Sequence, residues 1–483
     1  MLFGIPRQVK SFFRPVRARL SKPIRRALPF MVLALLLAPH RRCLKTLAGM
    51  VLGYREHVAT ISRRLRNCMW KTRDWYVALY DQLLGETDRW ERRLARGRER
   101  QWMVVIDTTY HTTHSECMEN LILMNRRQDS SRRHTRQHAF VMGLLLTDRG
   151  GRLPLPRRSY YTPEYCRKHR RRYRTQIQLA AEMLRVLRVP AGVSITVVFD
   201  SAFDAKDLHR VCRQRGFRAV FPLDPNRNLA AVPAGEERSG NATKVVQWTK
   251  SWHRDDFDLL ELQNGNEDHV FFRRRHRDNL RPRKTHRRYA VAARRATVAN
   301  LGACLVVASY KENRKVELRA GESGEWWAYH AAPVIYRRHR KPVPKRWQAK
   351  VLACTDATAT ARQVVEWYEV RWQIELFFRE LKSRMQLCGY VLMQFQAVER
   401  YLDLLLMGFL LLEKERLRDM KQADEPAQRA GEPWVQARTT DRLRSLDARC
   451  TEWNAGQIEE QMRTKRGRRR LVRDLRRARC RVA

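Results

Sequence analysis

An α/β fold built on a mixed sheet is predicted by three features of the chain. Short aliphatic runs recur after residue 101, and two of them close on an aspartate: WMVVID at 102–107 and SITVVFD at 194–200. Helical stretches at 173–188 and 205–216 alternate with such runs, whereas the first 100 residues show helical periodicity alone. Short apolar runs bounded by turn signals read as buried strands, a 3.6-residue period reads as helix, and their alternation gives an α/β layout.

The elements follow in order. Apolar residues recur at helical spacing through 29–37, 44–51 and 58–66, with Pro39 and Gly53 marking the turns between them. The segment YREHVATISRRLRN at 54–67 sets Val58, Ile61 and Leu65 on one face and Thr60, Ser62, Arg63, Arg64 and Arg66 on the other. Such a helix suits insertion into a DNA groove, as in helix-turn-helix proteins, and Arg63 and Arg64 are the candidate contacts; a solvated basic helix in a bundle fits the same residues equally well. The run PFMVLALLLAP at 29–39 is roughly half of what a bilayer requires, and YLDLLLMGFLLL at 401–412 is also short and contains Asp403, so both read as buried helix.

From 101 onward the strands begin. Residues 138–162 read as a hairpin turning at Asp148–Gly151, 205–216 as a helix closed by Gly216, and 218–224 as a further strand. The resulting order, β-β-β-α-β-α-β, resembles that of RNase H-like folds. Residues 225–350 interrupt it with runs such as HVFFRRR, LVVASY and APVIYRR, a β-rich insertion, before helical periodicity returns at 359–387 and 396–419. The predicted organisation is therefore a basic helical domain at 1–100, a core in two parts at 101–224 and 351–419, the insertion at 225–350, and a polar, basic tail at 420–483.

Charge points to the partner. Of 483 residues, 98 are Lys or Arg against 50 Asp or Glu, a formal net charge of +48, and the commonest cellular polyanion able to offset such a field is nucleic acid. An arginine-rich proteome would also raise this number. The ten cysteines stand singly, without zinc or disulfide spacing, as reduced cytosolic thiols do. His111, His114, Glu116 and Cys117 lie close together in HTTHSEC, but no second ligand pair follows at finger spacing. The arginines at 126, 127, 132, 133 and 136 are candidate phosphate contacts or a solvated loop.

The chemistry is concentrated in three carboxylates. Asp107 and Asp200 each end an apolar run, where a carboxylate is costly to desolvate unless a cation compensates it. Mg²⁺ takes hard oxygen ligands and completes its shell with water and phosphate. In YEVRWQIELFFRELK at 368–382, Tyr368, Arg371, Glu375 and Lys382 project near about 0°, −60°, −20° and −40° on a regular helix, one narrow stripe. Glu375 can complete a metal site, Arg371 and Lys382 can grip phosphates, and Tyr368 adds a ring and a hydroxyl. An ordinary salt bridge between Arg371 and Glu375 is the alternative.

The spacing of Tyr368, Arg371, Glu375 and Lys382 resembles the tyrosine-arginine-glutamate-lysine signature of the insertion-sequence-four family of DDE transposases, and VVIDTT and VVFDSAF resemble its two aspartate motifs. The resemblance covers roughly 101–224 and 351–412. It implies an RNase H-like core with a β-rich insertion before the glutamate, an N-terminal domain that recognises transposon ends, and cut-and-paste DNA transposition by a homodimer in the bacterial cytoplasm. Asp107, Asp200 and Glu375 would then hold two Mg²⁺ ions, with Mn²⁺ as a substitute. The family also uses a tryptophan to hold a flipped base; Trp347 is the positional match, with Trp326 and Trp327 as rivals. A catalytically inactive, transposase-derived DNA-binding protein is the alternative function.

Overall fold

Val104, Val105 and Ile106 are fully buried, and the β-branched and aromatic residues Thr108, Thr109 and Tyr110 after them keep the backbone extended. Strand β1 (Arg100–Thr113) is therefore longer than the run that announces it. In this computed structural model the described residues are 5–37, 58–67, 70–113, 115–125, 134–224, 226–231, 244–250, 252, 256–263, 286–311, 334–338, 341–345, 350–390, 392–427, 439–469 and 471–473. The fold is α/β with a mixed sheet of 12 strands. Its chain divides into two units, the first Met1–Trp102, Asp107–Val193 and Gln373–Ala483, the second Met103–Ile106 and Ser194–Trp372.

In the first unit β2 (Ile122–Asn125) pairs antiparallel with β3 (His134–Leu146), which also carries β4 (Arg152–Pro154) and β5 (Arg158–Ser159). The hairpin turn lies where the sequence puts it: Thr147 N–H donates to Gly151 O at 3.0 Å, and Gly150 takes a φ of 75°. The helix read at 173–188 is Gln176–Arg185, started by a capping box on Thr175. Helix Lys22–Leu37 packs on helix Phe395–Ala427 at Gly408, where a Cβ would come within 2.9 Å of Leu36 Cδ2. The described parts of the two apolar runs thus build this core. No described helix is long and apolar enough to cross a membrane. Asp403 interrupts the second run because its carboxylate accepts from Thr72 Oγ1 at 2.7 Å and pairs with Arg157 Nε at 2.9 Å.

In the second unit β6 (Val193–Phe199) runs parallel to β7 (Arg218–Pro222), joined by helix Lys206–Gln214, whose Leu208, Val211 and Cys212 are fully buried. The later strands are β8 (Leu229–Ala231), β9 (Asp258–Gln263), β10 (His286–Val298), β11 (Gly302–Lys311), β12 (Val334–Arg338), β13 (Lys341–Lys345) and β14 (Lys350–Cys354). From β7 the neighbours run β14, β11, β10, β8, all antiparallel, with β9 on β10; β12 and β13 form a hairpin apart. LVVASY lies in β11 and the end of APVIYRR is β12, while HVFFRRR lies outside the described residues.

Candidate active site

The two aspartates share a local device and differ in setting. Asp200 follows the last residue of β6 and caps a short 3₁₀ turn, its Oδ1 accepting from Ser201 N–H at 2.8 Å. Asp107 Oδ1 likewise accepts from the next amide, Thr108, at 2.7 Å. Yet Asp107 does not end its strand, contrary to the expectation from sequence; β1 continues six residues beyond it. The cause lies downstream, in a Thr-Thr-Tyr-His run that pairs and buries well.

The segment 368–382 departs from expectation as well, because it is not one regular helix. Helix Ala361–Glu369 ends in tight i to i−3 bonds, Val370 N–H to Trp367 O and Arg371 N–H to Tyr368 O. A new helix, Trp372–Arg379, then widens into a π turn at Glu380–Arg384, where Met385 N–H reaches back to Glu380 O at 2.9 Å. Turns of three different widths do not keep 100° per residue, so the four side chains do not form a single regular stripe. Tyr368 and Arg371 belong to the second unit, together with Asp200; Glu375 and Lys382 belong to the first, together with Asp107.

Within the second unit Arg371 Nη1 stands 3.7 Å from Asp200 Oδ2, beyond hydrogen-bond range, and the Asp200 side chain is 43% exposed. Tyr368 is buried one turn before Arg371, and Lys350 Nζ lies 4.2 Å from the centre of its ring. Burial pushes the Tyr368 hydroxyl up; Arg371 opposes the shift and Asp200 adds to it. A half-exposed carboxylate, an arginine and a phenol thus converge here, an arrangement that can take a phosphate on the guanidinium and a cation on the carboxylate.

Within the first unit Asp107, Thr109 and His111 alternate on one face of β1. His111 is buried, its ring 4.4 Å from that of Tyr390, and Tyr390 Oη contacts His138 Nδ1 at 2.9 Å while His138 Nε2 lies 2.8 Å from Glu119 O. Since only an N–H can satisfy that carbonyl, His138 carries its proton on Nε2 and accepts from Tyr390. Burial, then His138 and Lys382, push His111 down to about 4, so it is neutral near pH 7. This histidine-tyrosine group has no signal in the sequence, since its members lie far apart in it. Of the other HTTHSEC residues, Glu116 pairs with Arg136 at 2.6 Å and Cys117 is exposed, while His114 lies outside the described residues.

Thr108 Oγ1 donates to Gln176 Oε1 at 2.9 Å, tying β1 beside Asp107 to the first turn of helix Gln176–Arg185. Helix Val58–Arg66 buries Ile61 and Leu65, leaving Arg63 exposed and Arg64 half-buried. Trp347, Trp326, Trp327 and the arginines at 126, 127, 132 and 133 lie outside the described residues. Among the described residues no three His, Cys, Asp or Glu side chains form a group of metal-site size. Taken one by one, the carboxylates have donor chemistry that suits a divalent cation: Asp107 and Asp200 each engage one oxygen with the adjacent amide, and Glu375 stands in the first turn of its helix.

A mixed α/β sheet of this kind is consistent with an RNase H-like core. Residues 168–406, just under half the chain, match the family model described as a transposase DDE domain. The match takes in Asp200, Tyr368, Arg371, Glu375 and Lys382, while Asp107 precedes it. It supports a DDE transposase, a class of nuclease and transferase that acts on DNA and generally uses divalent metal. No curated protein matches the chain.

Proposed function

We propose that the chain is a Mg²⁺-dependent DDE transposase that carries out cut-and-paste transposition in the manner of the insertion-sequence-four family, with Asp107, Asp200 and Glu375 as the carboxylates that hold the metal. The observation that carries this reading is the transposase DDE match over 168–406 around the Asp200, Arg371 and Tyr368 cluster. Divalent metal bound there would supply an activated water and charge stabilisation for the departing 3′ oxygen. Arg371 and Lys382 bind the phosphates flanking the break, and the Tyr368 side chain backs Arg371. Water opens one strand at the transposon end, and the freed 3′-OH attacks the opposite strand or the target, so no side chain becomes covalently attached to DNA.

Specificity for the ends belongs to the basic helices of 1–100, Arg63 and Arg64 among them, and Trp347 in the segment 225–350 holds a displaced base. The active form on DNA is a homodimer, and Mn²⁺ substitutes for Mg²⁺. The test is a supercoiled plasmid carrying the element's own ends, incubated with the full chain and Mg²⁺ or with chelator. Nicking at the ends that depends on metal supports the reading; binding with no nicking under any divalent metal refutes it and leaves a DNA-binding protein.

A further inference from the structure

The first unit contains a cavity of about 430 Å³ that belongs to neither aspartate cluster. Seven Lys and Arg side chains line it against three carboxylates, and the carboxylates are already engaged. Arg157 pairs with Asp403 at 2.9 Å and with Glu399 at 3.3 Å, and Arg174 pairs with Glu182 at 2.6 Å. Arg400 is committed too, donating to Leu65 O at 2.7 Å and Arg66 O at 3.0 Å. Lys71, Arg73, Arg158 and Arg172 remain, and among the described residues they make no ion pair.

Two further features make this more than a basic surface. Arg158 Nε is buried without a hydrogen-bond partner among the described residues, a donor whose desolvation is uncompensated until something accepts from it. The 24-residue helix Thr72–Ala95 begins on the cavity wall with no side-chain cap, so its first amides and the positive end of its dipole lie at the same place. Buried Trp70 and half-buried Tyr161 complete the wall with aromatic rings. Unneutralised arginines, an uncapped helix start and rings in a space of small-molecule size form a receptor for a phosphate that carries a base.

We propose that this cavity binds a nucleotide phosphate, free or within a strand, with Lys71, Arg73, Arg158 and Arg172 on the phosphate and Trp70 and Tyr161 beside the base. Only the strand-bound form rests on the transposase reading. The test titrates the full chain with inorganic phosphate, deoxyadenosine monophosphate, deoxyadenosine and a short 5′-phosphorylated oligonucleotide, following binding by calorimetry. The monophosphate should bind and the unphosphorylated nucleoside should not; a tighter oligonucleotide identifies the strand as the source, an equal or weaker one the free nucleotide. R158Q/R172Q should weaken the monophosphate at least about tenfold, as loss of charge-assisted bonds requires, with the melting temperature unchanged.

The rim variant R73Q, at an exposed side chain, should weaken it less and guards against a folding defect in the double variant. R185Q, at an exposed arginine outside the cavity, should have no effect. Equal affinity in R158Q/R172Q, or the same loss in R185Q, overturns the proposal. If the wild-type chain nicks DNA while R158Q/R172Q binds the monophosphate normally, the cavity assignment alone fails. If R158Q/R172Q loses the monophosphate and the wild-type chain never nicks, the cavity stands and the transposase reading falls.

Discussion

Around Asp107 and around Asp200 the sequence carries the same cue, an aliphatic run closed by an aspartate, and the chain answers it differently. At Asp200 the next three residues, Ser-Ala-Phe, turn at once, with the carboxylate capping the turn. At Asp107 the next residues extend the strand to Thr113 and bury His111. The end of a strand is therefore set by the residues beyond the acid as much as by the acid itself. The electrostatics diverge as well: Asp200 faces solvent and an arginine 3.7 Å away, whereas the β1 face beside Asp107 leads to a neutral histidine cluster.

The largest test of that comparison is catalytic. Replacing Asp107, Asp200 or Glu375 singly by Ala should each reduce end nicking by at least about a thousandfold, in line with loss of a metal-assisted step, while gel-shift affinity for the ends changes little. If D107A keeps most of the activity, the aspartate inside a continuing strand is structural and the two positions are not equivalent.

Next comes stability. The unit that carries Asp107 is pinned by the buried pair Arg157–Asp403, both side chains no more than 5% exposed; R157A should destabilise it by about 3–5 kcal/mol because a buried charge is left alone. R371A removes a partner that stands 3.7 Å from Asp200, whose own side chain is 43% exposed, and should lower the stability by less than R157A does. Equal effects would erase the contrast between the two surroundings.

The pH response discriminates further. His111 is held down to about 4 in the folded chain, below the ordinary value of 6.5, so the unfolded chain takes up its proton first as pH falls. Stability is fully present above about pH 6.5, is lost progressively as pH drops toward 4, and the span is worth about 3 kcal/mol for this group. H111F should flatten that part of the profile in urea melts. A profile identical to wild type would show that His111 does not set it.

The smallest expected effect separates cap from strand. D200A loses the acceptor for Ser201 N–H and should cost about 1 kcal/mol of stability, whereas D200N keeps an oxygen there and should cost less. Comparison of the two by thermal melt also shows whether lost nicking in D200A is more than lost folding.

Much of this fold was legible where a local rule has no competitor. The turn at Asp148–Gly151, the strand before Asp200 and the helix closed by Gly216 arise from turn chemistry and burial period. The interior placement of Asp107 was not legible, since β-propensity beyond the acid outweighed the polar residue as a stop signal. The break at Val370–Arg371 and the π turn at Glu380–Arg384 are hidden for a different reason: no proline or glycine marks either one, and a uniform helical wheel smooths both away. The pairing of Asp403 with Arg157, and the joining of His111, His138 and Tyr390, depend on residues brought together only by folding.

The most direct measurement replaces Asp200 by Cys and assays end nicking in Mg²⁺ and in Mn²⁺. A thiolate is a poor ligand for Mg²⁺ and a better one for a softer ion, so D200C should be inactive in Mg²⁺ and regain nicking in Mn²⁺, with the wild-type chain active in both. Undiminished nicking by D200C in Mg²⁺ would contradict a metal-holding role for Asp200.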